Sequence, residues 1–267
     1  MWGRMSDEPI LIDQRGAIRA ITLNRPEALN AWTGELGADL LAAIRDASAD
    51  PEVRVILIAG AGRSFSSGAD LKAKRAVSAD GYPDLGARLR TSYNDIILET
   101  CAAPKPVVAA VQGAAAGIGC SLALAADFIV ASRSAYFLLA FTRVGLVADG
   151  GASYLLPQRI GLSRATRLLM LAEKLPAEQA HDWGLVHELC EDAALDQTAA
   201  ALARRLANAA TIALANTKRA LAASMLPGLA EHLALEADLQ TAQGRTDDFN
   251  EGVTAFRERR STNFQGR

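Results

Sequence analysis

Val107-Val108-Ala109-Ala110-Val111-Gln112-Gly113-Ala114-Ala115-Ala116-Gly117-Ile118-Gly119-Cys120-Ser121-Leu122 is an apolar run that changes character halfway along. Its first five residues are β-branched or small without interruption, the pattern of a strand covered on both faces. Gly113, Gly117 and Gly119 then forbid a single long helix before a Leu-Ala stretch resumes one that ends near Asp127. Residues 106–126 carry no charge and are numerous enough to span a bilayer, but the glycines, Gln112 and the scarcity of Leu and Phe make the transfer free energy poor. The stretch reads as a buried strand, a turn and a buried helix, with no membrane partner expected.

The same grammar recurs outward. Val55-Ile56-Leu57-Ile58-Ala59 is a second continuous apolar strand, and it runs into Gly60-Ala61-Gly62-Arg63-Ser64-Phe65-Ser66-Ser67-Gly68-Ala69-Asp70-Leu71, a small-residue loop expected to turn into a short helix. Upstream, Ile18 to Leu23 alternates as a strand and stops at Asn24-Arg25-Pro26. Residues 33–48 carry Leu36, Leu40, Leu41 and Ile44 at helical spacing behind a Thr33 cap. A helical stretch over 85–101 precedes the quoted strand, residues 76–84 form a loop, and Phe128-Ile129-Val130-Ala131 is a further strand. Strands and helices in alternation with short connections predict an α/β core with mostly parallel pairing. Beyond Asp192 the chain reads as helices over 195–209, 214–224, 229–243 and 247–259. This shift divides a core, 1–207, from a helical region, 208–267, whose apolar stripes are expected to pack on another subunit.

The 267 residues, half of them hydrophobic, suffice for a full-sized core. With 28 Lys and Arg against 30 Asp and Glu, the net charge of −2 offers no basic field for nucleic acid. Charge and Pro9 come before any apolar stretch, so no secretory leader is expected and the cytoplasm is the expected location. Cys101, Cys120 and Cys190 are too dispersed for a disulfide framework, and His181, His187 and His232 lack metal-ligand spacing, so no metal is expected. Gly60-Ala61-Gly62 lacks the lysine ending of a phosphate-binding loop, and Leu122 stands where a dinucleotide fingerprint needs a third small residue. Both glycine turns follow a strand and open a helix. Free N–H groups there attract an anion or a developing oxyanion, and two such turns facing each other could hold one carbonyl oxygen.

Three segments, in this order, then resemble a known family: Leu23-Asn24-Arg25-Pro26-Glu27-Ala28-Leu29-Asn30-Ala31, Phe65-Ser66-Ser67-Gly68-Ala69-Asp70-Leu71 and Lys105-Pro106-Val107 through Gly113 to Leu122. Gln179-Ala180 to Gly184-Leu185-Val186 and Glu251-Gly252-Val253-Thr254-Ala255-Phe256 extend the likeness over nearly the whole chain. It is similar to the crotonase (enoyl-CoA hydratase/isomerase) superfamily. The resemblance implies an α/β crotonase-type spiral of ββα turns with a C-terminal helical trimerisation region. It also implies trimers or dimers of trimers, and an acyl-CoA thioester substrate that brings coenzyme A with it, no separate cofactor being needed. By position, the backbone N–H groups of Ala69 and Ile118 would be the oxyanion donors. Glu27, Ala28, Leu29, Ser66, Asp70 and Leu71 would lie along CoA, with Phe256 and Arg259 reaching in from a neighbouring subunit.

The departure from the family pattern narrows the chemistry. Family hydratases use two glutamates, and here those positions hold Ser121 and Phe141, neither of which can act as a general base near neutral pH. The remaining carboxylate is Asp149 in Gly145-Leu146-Val147-Ala148-Asp149-Gly150-Gly151. It can be read as the N-cap of the helix that follows or as a base, and the two roles can coexist. A family subgroup, the Δ3,Δ2-enoyl-CoA isomerases and 1,2-epoxyphenylacetyl-CoA isomerases of phenylacetate degradation, is similar in carrying an Asp here. The expected activity is therefore an acyl-CoA isomerase, with Phe141 and Leu146 as apolar neighbours of the base and Phe137, Leu138 and Tyr82 as further candidates for the acyl end. The alternatives are a hydratase or hydrolase with an unusual base, a serine hydrolase using Ser121, and a non-catalytic acyl-CoA binder.

Overall fold

A computed structural model describes residues 8–70, 77 and 79–267. Six strands, β1 (Ile10–Arg15), β2 (Ile18–Leu23), β3 (Val55–Gly60), β4 (Val107–Val111), β6 (Phe128–Ser132) and β9 (Glu188–Cys190), form one sheet in the order β1-β2-β3-β4-β6-β9. Only the β1–β2 hairpin is antiparallel; the other pairs are parallel. A smaller sheet joins β5 (Ala114–Ala116), β7 (Tyr136–Leu138) and β8 (Leu175–Pro176). The chain thus steps from the large sheet to the small one twice, β4 to β5 and β6 to β7, and Ser66 makes the corresponding step after β3 by bridging to Ala115. This is the repeated turn of a crotonase-type spiral, as the fold reading expected.

The uninterrupted apolar strands are explained by what covers them. From β3 and β4, Ile56, Ile58, Val107, Ala109 and Val111 enter the larger core. Their alternates Val55, Leu57, Ala59, Val108 and Ala110 pack against Leu195, Ala199, Leu202 and Leu206 on the sheet's other face. Burying each Val, Leu or Ile side chain among them contributes about 1.5–3 kcal/mol.

The helices are α1 (Gly34–Ala49), α2 (Leu85–Arg88), α3 (Asn94–Ala102), α4 (Ile118–Ala125), α5 (Ala152–Ile160), α6 (Leu162–Leu171), α7 (Ala177–Asp182), α8 (Leu195–Ala207), α9 (Thr211–Met225), α10 (Leu229–Gln243) and α11 (Asp247–Glu258). Thr33 caps α1 as expected, its Oγ1 accepting the Leu36 N–H at 3.2 Å. The single helix expected over 85–101 is split by a π-helical turn, Leu89–Tyr93. There α2 is pressed onto α10 so closely that a Cβ on Gly86 would lie 2.4 Å from the Ala237 carbonyl oxygen.

The C-terminal helices do not behave alike. No residue of α9 is buried, and Ile212 and Leu221 are well exposed. In contrast, α10 buries Leu229, Leu233 and Ala237 in the same core as residues before 208. The cleft described next is accordingly built from both sides of that position. Among the described residues, no helix is long and apolar enough to cross a membrane.

Candidate active site

The first glycine turn is held by a ladder of buried bonds. Asn30, fully buried and left-handed at φ 55°, donates to the carbonyls of Ala61 (2.9 Å) and Ser64 (2.7 Å). Ser66 Oγ donates to the Asn30 carbonyl at 2.9 Å and accepts the Gly68 N–H at 3.2 Å. Trp32 then bonds to Gly68 O (2.8 Å) and to Asp70 N (3.0 Å). A strand residue whose two neighbours bond to one side points its own N–H to the other, so Ala69 presents its N–H away from Trp32.

The second turn lies against the first. Ala116 N–H bonds to Ser66 O (2.8 Å) and Gly117 N–H to Leu138 O (2.9 Å), leaving Ile118 as the first orphan donor of α4. A Cβ on Gly68 would sit 2.9 Å from Ala116 O, and one on Gly117 only 3.6 Å from Gly68 Cα, so the two turns touch because both lack side chains. Among the described residues, neither the Ala69 nor the Ile118 N–H meets an acceptor.

Asp149 closes the third side. The adjoining Gly150, at φ 63°, is packed so that a Cβ would fall 2.4 Å from Ile118 Cδ1, which sets the carboxylate-bearing loop on the start of α4. Ser121 Oγ donates to the Asp149 carbonyl at 2.8 Å and so fastens the loop to α4. Gln240 Nε2 on α10 donates to Asp149 Oδ2 at 2.9 Å and to Val147 O at 2.8 Å. Asp149 Oδ1 is shielded from solvent and meets no partner among the described residues. Burial, then the nearby Glu236 charge, push the Asp149 carboxyl up to about 7, opposed by the Gln240 bond.

The helix-cap reading of Asp149 is resolved by a different residue. Helix α5 starts behind left-handed Gly151, with no cap from its own segment. Glu236 on α10, only 1% exposed, accepts Gly151 N–H at 2.7 Å, Ser153 N–H at 3.1 Å and Ser153 Oγ–H at 2.5 Å. His232 Nε2 lies 2.7 Å from the same Ser153 hydroxyl. Asp149 is left free of the cap.

Ala69, Asp70, Leu146, Asp149 and Gln240 line one cleft of about 870 Å³, walled elsewhere by α1, α2 and the π-helical turn. Asp46, Asp70 and Asp84 are its other carboxylates. Asp84 caps α2 through Ala87 N–H (2.9 Å), Asp70 pairs with Arg25 (3.2 Å), and Asp46 is exposed at the rim. Tyr93, whose phenol burial pushes up to about 12, stands in the same wall with Arg88.

The remaining sequence candidates are more scattered. Glu27 and Ala28 lie in a 3₁₀ turn that Leu29 ends, where Ser67 N–H bonds to Leu29 O (2.9 Å), but none of the three lines the cleft. The Ser66 side chain is fully buried and works within the fold, away from any ligand surface. Phe141 stands behind Gly117, its Cζ 3.9 Å from where a Cβ would be. Phe137 is buried in the core. Phe256 and Arg259, on and after α11, are exposed away from the cleft, with Phe256 beside Thr142, Met170 and Arg260 on a separate shallow surface. Leu71 and most of the 76–84 loop's start lie outside the described residues. Cys101 and Cys120 are buried, their thiols pushed by desolvation to about 11 and about 12, which leaves them poor nucleophiles.

The fold thus brings Ala69, Ile118 and Asp149 together on two touching turns and the loop packed against α4. Residues 13–267 match the family described as enoyl-CoA hydratase/isomerase. The chain belongs to the enoyl-CoA hydratase/isomerase family. Within it, the chain is 40% identical over 260 residues to the 1,2-epoxyphenylacetyl-CoA isomerase of Escherichia coli K12, covering 97% of this chain and 99% of that one. It is 41% identical over 263 residues to a probable enoyl-CoA hydratase of Rhodobacter capsulatus, covering 98% and 100%. The crystal structure of an enoyl-CoA hydratase from Mycobacterium avium subsp. paratuberculosis superposes with a TM-score of 0.87 at 38% identity, covering 96% of this chain and 98% of its own. Relatives thus bear isomerase and hydratase names alike.

Sequence reasoning missed Gln240 and Glu236. A signal was present: 229, 233, 236 and 240 follow the apolar spacing of one helix face, and Glu and Gln occupy its last two places.

Proposed function

We propose that this enoyl-CoA hydratase/isomerase family member is an acyl-CoA isomerase that moves one proton across a thioester enolate. The observation that carries this reading is that Asp149 is, among the described residues, the one cleft carboxylate set back from the exposed rim that has neither a cap nor an ion pair to satisfy, near the N–H groups of Ala69 and Ile118, which meet no acceptor. With a 3-enoyl thioester, ionised Asp149 removes the α-proton. The electron pair spreads onto the thioester oxygen, which the two N–H groups hold, and through the C3–C4 double bond to the γ-carbon, where the now neutral Asp149 returns the proton. No water is consumed. A carboxyl near 7 suits both halves of that cycle, because about half is ionised at neutral pH. Two oxyanion donors at roughly 3 kcal/mol each do not close the gap to a carbon acid alone, so positioning of the carboxylate supplies the rest.

The isomerase name of the Escherichia coli relative supports this reading, and a ring-1,2-epoxyphenylacetyl thioester is the second substrate class to try. Coenzyme A enters with the substrate and no other cofactor is called for. A trimer or dimer of trimers in the cytoplasm, with Phe256 and Arg259 meeting CoA across the subunit boundary, completes the proposal. The alternative is hydration with an unusual base, supported by the hydratase name of the Rhodobacter relative. A panel of 3-enoyl and aromatic epoxide CoA esters in ¹⁸O-water separates them. Isomerisation leaves the product mass unchanged, whereas heavy oxygen in the product would establish hydration.

A further inference from the structure

We propose that Glu236 and Gln240 are positioning residues for the Asp149 reaction: Glu236 takes over the α5 cap so that Asp149 stays free to exchange a proton, and Gln240 selects which carboxylate oxygen does so. This deepens the isomerase reading and rests on it for its functional meaning. Both residues sit one turn apart on the buried face of α10 and reach the same loop. Gln240 bridges Asp149 Oδ2 (2.9 Å) and Val147 O (2.8 Å), which pins the carboxyl plane and leaves Oδ1 unpartnered among the described residues. Glu236 takes Gly151 N–H, a donor that Asp149 would otherwise attract as a helix cap, and with it the Ser153 N–H of the first turn of α5. It also places a second buried carboxylate near the first, and like charges in low dielectric favour proton retention.

His232, one turn back along α10, is 3.8 Å from Glu236 and shares Ser153 with it. Tyr93 and Arg88 line the same cleft as Asp149, and Arg90 pairs with Asp238 of α10. Burial raises both carboxyls, Glu236 adds to the rise at Asp149, and the Gln240 bond opposes it.

The two residues therefore act on Asp149 with opposite sign, which a merely structural role would not do. Infrared titration of ¹³C-aspartate-labelled protein, with the Asp149 carboxyl band assigned by its loss in Asp149→Asn, reads the midpoint without any substrate. Glu236→Gln keeps one acceptor for Gly151 and should lower the midpoint by about one unit. Gln240→Met should raise it. General loosening would admit water and lower the midpoint in both variants. Opposite shifts uphold the proposal, and any other pattern overturns it. Because no turnover is measured, the result stands apart from the success or failure of the isomerase reading, which the Asp149→Asn activity decides.

Discussion

Gln240 holds Asp149 by a 2.9 Å hydrogen bond to Oδ2, so a helix from the last quarter of the chain fixes the carboxylate that the glycine turns face. The bond leaves Oδ1 without a partner among the described residues, on a residue that lines the cleft.

Activity should depend on pH through Asp149. Its carboxyl is raised from 3.8 to about 7, and the ionised form takes the first proton. The ratio kcat/KM, which reports the free enzyme, should rise as pH increases through about 7 and flatten above it. A profile flat from pH 5 to 8 would remove Asp149 as the base.

Stability should run the opposite way. A carboxyl whose folded pKa exceeds its unfolded value binds protons more tightly when folded. Its contribution is complete below the unfolded value and is lost as pH rises through about 7. About three units correspond to on the order of 4 kcal/mol. Glu236, raised by burial, slopes in the same direction. Asp149→Asn should therefore melt above the wild type at pH 8, with the difference narrowing toward pH 5. A difference independent of pH would contradict the buried-carboxyl assignment.

Removing one oxyanion donor is feasible at Ile118, the first residue of α4, where proline is tolerated. Ile118→Pro deletes that N–H and should lower kcat by about 10²- to 10³-fold, with KM changed much less. Steady-state kinetics beside a circular-dichroism check of folding test this. An unaltered kcat would mean that the Ile118 N–H does not bear on the thioester oxygen.

Gly150 cannot carry a side chain. Its φ of 63° and the 2.4 Å approach of Ile118 Cδ1 to a Cβ make Gly150→Ala strained twice over. The variant should lose about 1–3 kcal/mol in urea unfolding and most of its turnover, because the Asp149 loop is displaced. Full activity in a destabilised variant would uncouple the loop from the chemistry.

Much of the fold was legible in the residues themselves. Val55 to Ala59 and Val107 to Val111 are apolar at every position because two cores cover the sheet, and continuity is the pattern such strands must show. The three-residue strands β5 and β7 are too short for any period to register, and β1 exposes Ile12, which blurs its alternation. At the site, Asp149 stood out once Ser121 and Phe141 had been set aside. Its freedom from capping did not, because the cap comes from Glu236, far along the chain, and is visible only as a charge on an apolar helix stripe. The proposed CoA contacts at Phe256 and Arg259 lie away from this chain's cleft, where local sequence carries no information about which subunit they serve.

The most direct test is the turnover of Asp149→Asn with a 3-enoyl-CoA ester, measured beside thioester binding by calorimetry. Loss of isomerisation by about 10²- to 10⁴-fold, with binding retained, is the predicted result. Wild-type turnover in that variant would contradict the single-carboxylate mechanism.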